Sequence, residues 1–165
     1  MIKIKKPSDS PPPKQGGFGW KLLSSFFGVG FSPLAPGTVS SACVFILIWF
    51  VPNDSVIYLA ILAIITVAGI PISGKAENYW GKDPSKIVID EVAGSMVALL
   101  FVPKNIWLWI IAFVAFRGFD ILKLPPAKTI EKRFRGGWGV MLDDIVAGVY
   151  AFVLTHLVSI IFQQG

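Results

Sequence analysis

The chain has 165 residues, 54% hydrophobic and 15% charged, with mean hydropathy +0.68 and a formal net charge of +5. Soluble domains carry roughly a quarter charged residues, and apolar runs close to bilayer length recur here, so the composition points to a one-domain integral membrane protein. One cysteine (Cys43) and one histidine (His156), each inside an apolar run, exclude a disulfide framework, a thiolate metal cluster and histidine-based chemistry.

Residues 1–17 are polar, with Lys3, Lys5, Lys6, Pro11-Pro12-Pro13 and Lys14, and read as a disordered cytoplasmic tail ahead of a membrane-embedded domain over 18–165. No compact apolar core with a cleavage site follows, so no signal peptide is expected. Phe18 to Ser32 is apolar and glycine-rich and predicts an N-terminal interfacial helix. Pro33 to Thr38 forms a turn, with Thr38 a candidate N-cap of the next helix. Five apolar segments follow, over Val39–Val51, Ser55–Ser73, Ile87–Val102, Ile106–Phe119 and Asp143–Phe162. Tight turns at Pro52-Asn53-Asp54 and Pro103-Lys104-Asn105 separate two pairs; polar loops over Gly74–Lys86 and Asp120–Leu142 separate the others. The expected fold is all-α: a compact polytopic membrane helical bundle with about five membrane segments.

The charges orient it. With the N-terminus inside, the inner segments 1–38, 74–86 and 117–142 hold five, three and six Lys or Arg, 14 of the 15. That is a strong positive-inside bias, and it places the C-terminus outside. Nine of the ten acids fall on the same face: Asp90 and Glu91 at the inner end of the third span, Asp120 at that of the fourth, Asp143 and Asp144 at that of the fifth. Carboxylates gathered at a membrane edge repel one another unless a cation joins them. Hard oxygen donors without useful His or Cys suit Mg²⁺, which keeps waters and shares a phosphate. Arg117, Lys123 and Lys75 lie on the same face and can hold phosphate oxygens. The constellation therefore predicts a Mg²⁺-dependent phosphate-ester enzyme at the cytoplasmic leaflet.

Each feature has a plainer reading. An acid pair at a helix N-terminus is favourable dipole placement. Gly94, Ser95, Ala147 and Gly148 allow close helix packing. Arg117 and Asp120, at i,i+3, form an ion pair. The basic loop residues Lys128, Lys132, Arg133 and Arg135 act as a topology and headgroup signal. Gly136-Gly137-Trp138-Gly139 serves as a flexible helix start or a loop over a phosphate. His156 is a bundle residue, and Trp107 and Trp109 belong to an aromatic belt. Two other function classes follow from the same residues. One is a cation-coupled transporter, against which stands the clustering of the acids at one face. The other is a non-catalytic protein binding anionic lipid, which would need no Mg²⁺ and would tolerate Asp-to-Asn changes.

Four stretches carry a family resemblance: Pro36-Gly37-Thr38; Lys82-Asp83-Pro84-Ser85-Lys86-Ile87-Val88-Ile89-Asp90-Glu91-Val92-Ala93-Gly94; Phe116-Arg117-Gly118-Phe119-Asp120-Ile121-Leu122-Lys123; and Gly136-Gly137-Trp138-Gly139-Val140-Met141-Leu142-Asp143-Asp144-Ile145-Val146-Ala147-Gly148. In this order they resemble the motifs of the phosphatidylglycerophosphatase A family across roughly residues 20–162. The resemblance implies an all-helical Mg²⁺-dependent phosphatase of the bacterial inner membrane, with its active site on the cytoplasmic face. Its substrate would be the lipid phosphatidylglycerophosphate, hydrolysed to phosphatidylglycerol on the way to cardiolipin. It implies no nucleic-acid partner and leaves the oligomeric state open. Carried over by position, it puts Thr38, Asp90, Glu91, Arg117, Asp120, Lys123, Asp143 and Asp144 in the active site. Asp90, Glu91, Asp143 and Asp144 would bind Mg²⁺, Arg117 and Lys123 would hold the substrate phosphate, and Thr38 would contact a phosphate oxygen or the attacking water. Direct water attack and a phosphoenzyme both stay open. Where the family usually reads Pro-Trp-Pro after the lysine, this chain has Leu124-Pro125-Pro126-Ala127.

Overall fold

A computed structural model describes residues 17–52, 54–81, 84–125, 129–130, 133–134 and 136–164, with side chains to 161 at the C-terminal end. Residues 1–16 of the tail read at 1–17, Asn53 of the first tight turn, Lys82-Asp83 of the second motif, Pro126-Ala127 of the stretch that departs from the family's usual pattern, and Lys128, Lys132 and Arg135 lie outside them. Among the described residues the fold is all-α: α1 (Phe18–Ser24), a 3₁₀ turn (Val29–Phe31), α2 (Pro36–Trp49), α3 (Ser55–Trp80), α4 (Ile89–Ala98), α5 (Ile106–Leu122) and α6 (Gly137–Gln164).

Helix starts follow local chemistry. The Asp54 Oδ1 accepts from the N–H groups of Val56 and Ile57 at 2.8 and 3.0 Å and caps α3, and the Asn105 side chain caps α5 through Trp107 and Leu108. α2 begins two residues before the expected cap. Pro36 holds its first position behind Ala35 in the left-handed region (φ 42°), so Thr38 sits inside the helix instead of capping it. Proline's fixed φ and missing N–H suit that first position.

The predicted loops are shorter than the sequence suggested. α3 runs past Ser73 to Trp80, carrying Pro71 within it. α5 takes in Asp120, and α6 starts at Gly137, six residues before the expected boundary. Gly74 and Gly137 explain the first and last of these. A Cβ on Gly137 would collide with the Ile70 carbonyl and stand 2.8 Å from the Gly74 nitrogen. The glycines are there for the crossing of α3 and α6, so neither breaks its helix.

α4 is the central element. Residues 91–96 are all buried, and its neighbours include α2, α3 and α6. The α4–α6 crossing is made by Gly94 and Gly148. A Cβ on Gly94 would lie 2.6 Å from the Asp144 carbonyl oxygen and from the Phe116 ring. Small residues let backbones approach this closely. The Tyr58 hydroxyl donates to the Met96 carbonyl at 2.6 Å and so satisfies a late carbonyl of α4. Val44, Phe45, Ile48, Val92, Met96 and Trp109 fill the main core.

Among the described residues two helices, Ser55–Trp80 and Gly137–Ile161, are long and apolar enough to cross a membrane, with only 11% and 33% of their most apolar windows buried. A core helix of a soluble protein would be mostly buried; here Ile64, Val67, Leu157 and Ile161 face outward. The others are shorter: α2, α4 and α5 have 14, 10 and 17 residues.

Candidate active site

Five helix ends meet at one pole. The first turn of α4 supplies Asp90 and Glu91, the C-terminal end of α5 supplies Arg117 and, a turn later, Asp120, Lys123 follows as its C-cap, and the start of α6 supplies Asp143 and Asp144 beyond its first turn. These seven residues line a single cleft of about 800 Å³, together with Gly37 of α2 and Glu77 of α3. The carboxylates expected from charge placement to converge do so, and of the eight residues that the resemblance put in the site the structure brings seven together. Thr38 is the exception: it is half-buried and does not line the cleft. Lys75 is not in the wall either; its ammonium sits 4.1 Å from the centre of the Trp20 ring, anchoring α1 on α3.

The site is built around one guanidinium. Arg117 Nη1 is ion-paired with Glu91 Oε2 and lies 2.9 Å from Asp120 Oδ2. The Ser41 hydroxyl lies 3.2 Å from the same Glu91 oxygen and 2.9 Å from the Gly37 carbonyl. A side chain on Gly37 would collide with Glu91, so glycine is what lets this carboxylate lie against the start of α2. Across the cleft Lys123 Nζ donates to Asp143 Oδ2 at 2.7 Å. Lys123 itself adopts the left-handed conformation that ends α5 (φ 45°), which turns it toward α6.

Two carboxylate oxygens stand apart. Asp90 Oδ1 and Asp144 Oδ2 are buried without a hydrogen-bond partner among the described residues. Buried carboxylate oxygens in that condition need a proton or a cation. Among the described residues no three His, Cys, Asp or Glu side chains form a ready ligand group, and Glu91 and Asp143 each already face a cation. Mg²⁺ is commonly bound by one or two carboxylates, waters and a substrate phosphate. The donor set fits that sparse arrangement, with Asp90 and Asp144 as the residues that would hold the ion.

Sequence reasoning missed Ser41, took Gly37 only as part of the first motif, and put Glu77 on the right face but in a loop. Ser41 is a polar residue in an otherwise apolar helix and lies i+4 from Gly37, which was a usable signal. Glu77 was assigned to a loop because Gly74 was read as a stop. The glycine run is only partly what was expected: Gly136 (φ 65°) and Gly139 line the cleft, while Gly137 is packed against α3. His156 stacks on Phe152, with Nδ1 2.8 Å from the Phe152 carbonyl, about 18 Å along α6 from Asp144.

With this geometry in hand, comparison with known proteins is specific. The family model described as Phosphatidylglycerophosphatase A matches residues 22–159. A Bacteroides thetaiotaomicron protein named "Putative phosphatidylinositol-3-phosphatase" is 43% identical over 81% of this chain and 89% of its own. Proteins named phosphatidylglycerophosphatase A from Escherichia coli K12 and Haemophilus influenzae are 33% and 34% identical, over 85% and 84% of this chain and 83% and 87% of theirs. No solved structure matches significantly. The family model spans all four motifs that build the cleft, and the chain belongs to the phosphatidylglycerophosphatase A family.

Proposed function

We propose that this chain hydrolyses the terminal phosphate monoester of phosphatidylglycerophosphate, releasing phosphatidylglycerol and phosphate, as a Mg²⁺-dependent step of phospholipid synthesis. The observation that carries the reading is the pairing of two unsatisfied carboxylate oxygens, on Asp90 and Asp144, with Arg117 and Lys123 in one cleft. The carboxylates suit a divalent cation and the cations suit phosphate oxygens, and a phosphate monoester engages both. Arg117 presents a planar fork to the phosphate while Glu91 and Asp120 hold its orientation. Lys123 adds a second positive charge from the opposite wall, aligned by Asp143. Mg²⁺, when bound, would neutralise charge on the phosphoryl oxygens and lower the pKa of a bound water. In the net reaction the P–O bond to the glycerol headgroup breaks, a new P–O bond to the oxygen of water forms, and a proton from that water ends on the leaving oxygen, giving the alcohol and inorganic phosphate.

The positive-inside count supports a cytoplasmic cleft in the bacterial inner membrane, with α1 and the 3₁₀ turn after it lying in the interface through Phe18, Phe27 and Phe31, all exposed. The Bacteroides relative carries a name for a different headgroup, so the test includes both lipids. Phosphate release by the purified protein is measured on phosphatidylglycerophosphate, phosphatidylinositol 3-phosphate and phosphatidate, with Mg²⁺ and with EDTA. Preferential Mg²⁺-dependent release from the first supports the proposal. Preference for the inositol lipid, or activity unchanged by EDTA, would overturn it.

A further inference from the structure

We propose that the groove between α2 and α5 holds one acyl chain of the substrate lipid while its phosphate lies in the cleft; this rests on the lipid-phosphatase reading above. The argument begins with helix periodicity. Residues spaced i, i+4, i+7 and i+11 share one face of a helix. On α2 that spacing joins Thr38, Ala42, Phe45 and Trp49. On α5, read from its far end, it joins Ile106, Ile110, Phe113 and Arg117. The apolar parts of both stripes line one groove of about 370 Å³, whose described lining residues are all apolar. Phe45 forms its floor, packed edge-on against Phe113 and Trp109 at centroid distances of 5.3 and 6.0 Å.

The inner ends of the two stripes lead into the cleft. Arg117 lines the cleft, and so does Gly37, next to Thr38. A Cβ on Gly37 would stand 3.1 Å from an Arg117 terminal nitrogen, so the two helices come together at the phosphate-binding end with only a glycine between them. The length also fits. Arg117 to Ile106 is 11 residues, about 16 Å at 1.5 Å per residue. One leaflet of a roughly 30 Å hydrocarbon core is about 15 Å deep. With the terminal phosphate deep in the cleft beside Asp90 and Asp144, the headgroup glycerol and the phosphodiester fill the cleft out to the rim at Gly37 and Arg117, and one acyl chain runs from that rim along the groove, exchanging bilayer contacts for Phe45, Ile110 and Phe113.

The test is a chain-length comparison. Ile46→Trp combined with Ile110→Trp fills the groove about 10 Å from Arg117, beyond the reach of a six-carbon chain. Both positions are exposed, so the folding risk is small. Phosphate release is measured on dioleoyl and dihexanoyl phosphatidylglycerophosphate in the same detergent micelles. The expected result is a loss of about tenfold or more in kcat/KM for the dioleoyl lipid, with the dihexanoyl lipid within about twofold of wild type. Equal effects on both lipids would overturn the groove assignment and leave the phosphatase reading standing. A wild-type protein inactive on both would overturn both. A fall in the mass of the detergent-solubilised particle in the double variant would assign the groove to a copy–copy contact instead. If the double variant fails to fold, a dioleoyl-length substrate analogue with a mid-chain diazirine decides on the wild-type protein. Crosslinks at Phe45, Ile110 or Phe113 support the proposal, and crosslinks confined to α3 or α6 overturn it.

Discussion

Arg117 shows how a polar residue reads differently at atomic detail than in sequence. The i,i+3 spacing with Asp120 suggested a local ion pair, and that pair is present at 2.9 Å. The stronger tie, to Glu91 twenty-six residues away, depends on α4 and α5 meeting at this end, which no local spacing specifies. Truncating Arg117 leaves Glu91 and Asp120 buried without their counter-charge, a situation that costs about 3–5 kcal/mol. Arg117→Ala should therefore lose both activity and thermal stability, whereas Arg117→Lys should keep most of the stability but lose the bidentate fork; melting curves and phosphate release on both variants check this. Asp144→Asn and Asp90→Asn behave differently, because one oxygen of each carboxylate lacks a partner among the described residues. Each should lower phosphate release about 100-fold or more while leaving the melting temperature unchanged or raised, since a neutral amide removes a buried charge at little change in volume. Full activity in either variant would remove that residue from the site.

At the scale of elements, the sequence conveyed helix content and order well and helix ends poorly. Apolar runs located all five larger helices. The errors fell at Gly74, Asp120 and Gly137, where polarity or glycine was read as a break. Glycine costs a helix about 1 kcal/mol, which is small against the packing of α6 on α3 that Gly74 and Gly137 permit, and that packing partner lies some sixty residues away. The charged stretch after Ile72 was likewise helical because it lines the cleft or stacks on α1 aromatics, as Glu77 and Lys75 do. Gly94 tests how the elements set the site. It separates Asp90 and Glu91 from the backbone of Asp144, and Gly94→Val would place a branched Cβ 2.6 Å from the Asp144 carbonyl. The helices must part to admit it, at about 1–3 kcal/mol. The expected outcome is a loss of activity larger than the loss of stability. Asp54→Ala, which removes only the α3 cap at the opposite end, should cost about 1 kcal/mol and leave the rate per folded molecule unchanged. If both variants lost activity in proportion to stability, the crossing would have no particular hold on the site.

Across the whole molecule, the distribution of charge and the arrangement of helices point the same way. α4 is only about 15 Å long by its ten residues, too short to cross a bilayer alone. It is sheathed by α2, α3 and α6, so its backbone is satisfied without meeting lipid, and the acids on its first turn are held where the cleft opens. The short turn at Lys104, between α4 and α5, lies at the far pole, where its ammonium donates to the Val51 carbonyl at 2.8 Å. Lys75 and Lys86 lie at the cleft pole beside Trp20 and Trp80. On the positive-inside count these two poles are expected to face opposite compartments. Single cysteines at 104 and at 86, introduced in a Cys43→Ser background, separate the possibilities with a membrane-impermeant maleimide. Position 104 should label in intact spheroplasts, and position 86 only after permeabilisation. The reverse pattern would turn the cleft toward the outside, and labelling of both from one side would mean that α3 and α6 do not carry the chain across. The cleft's orientation determines which leaflet supplies the lipid, and the groove between α2 and α5 would then run outward from the cytoplasmic surface through that leaflet.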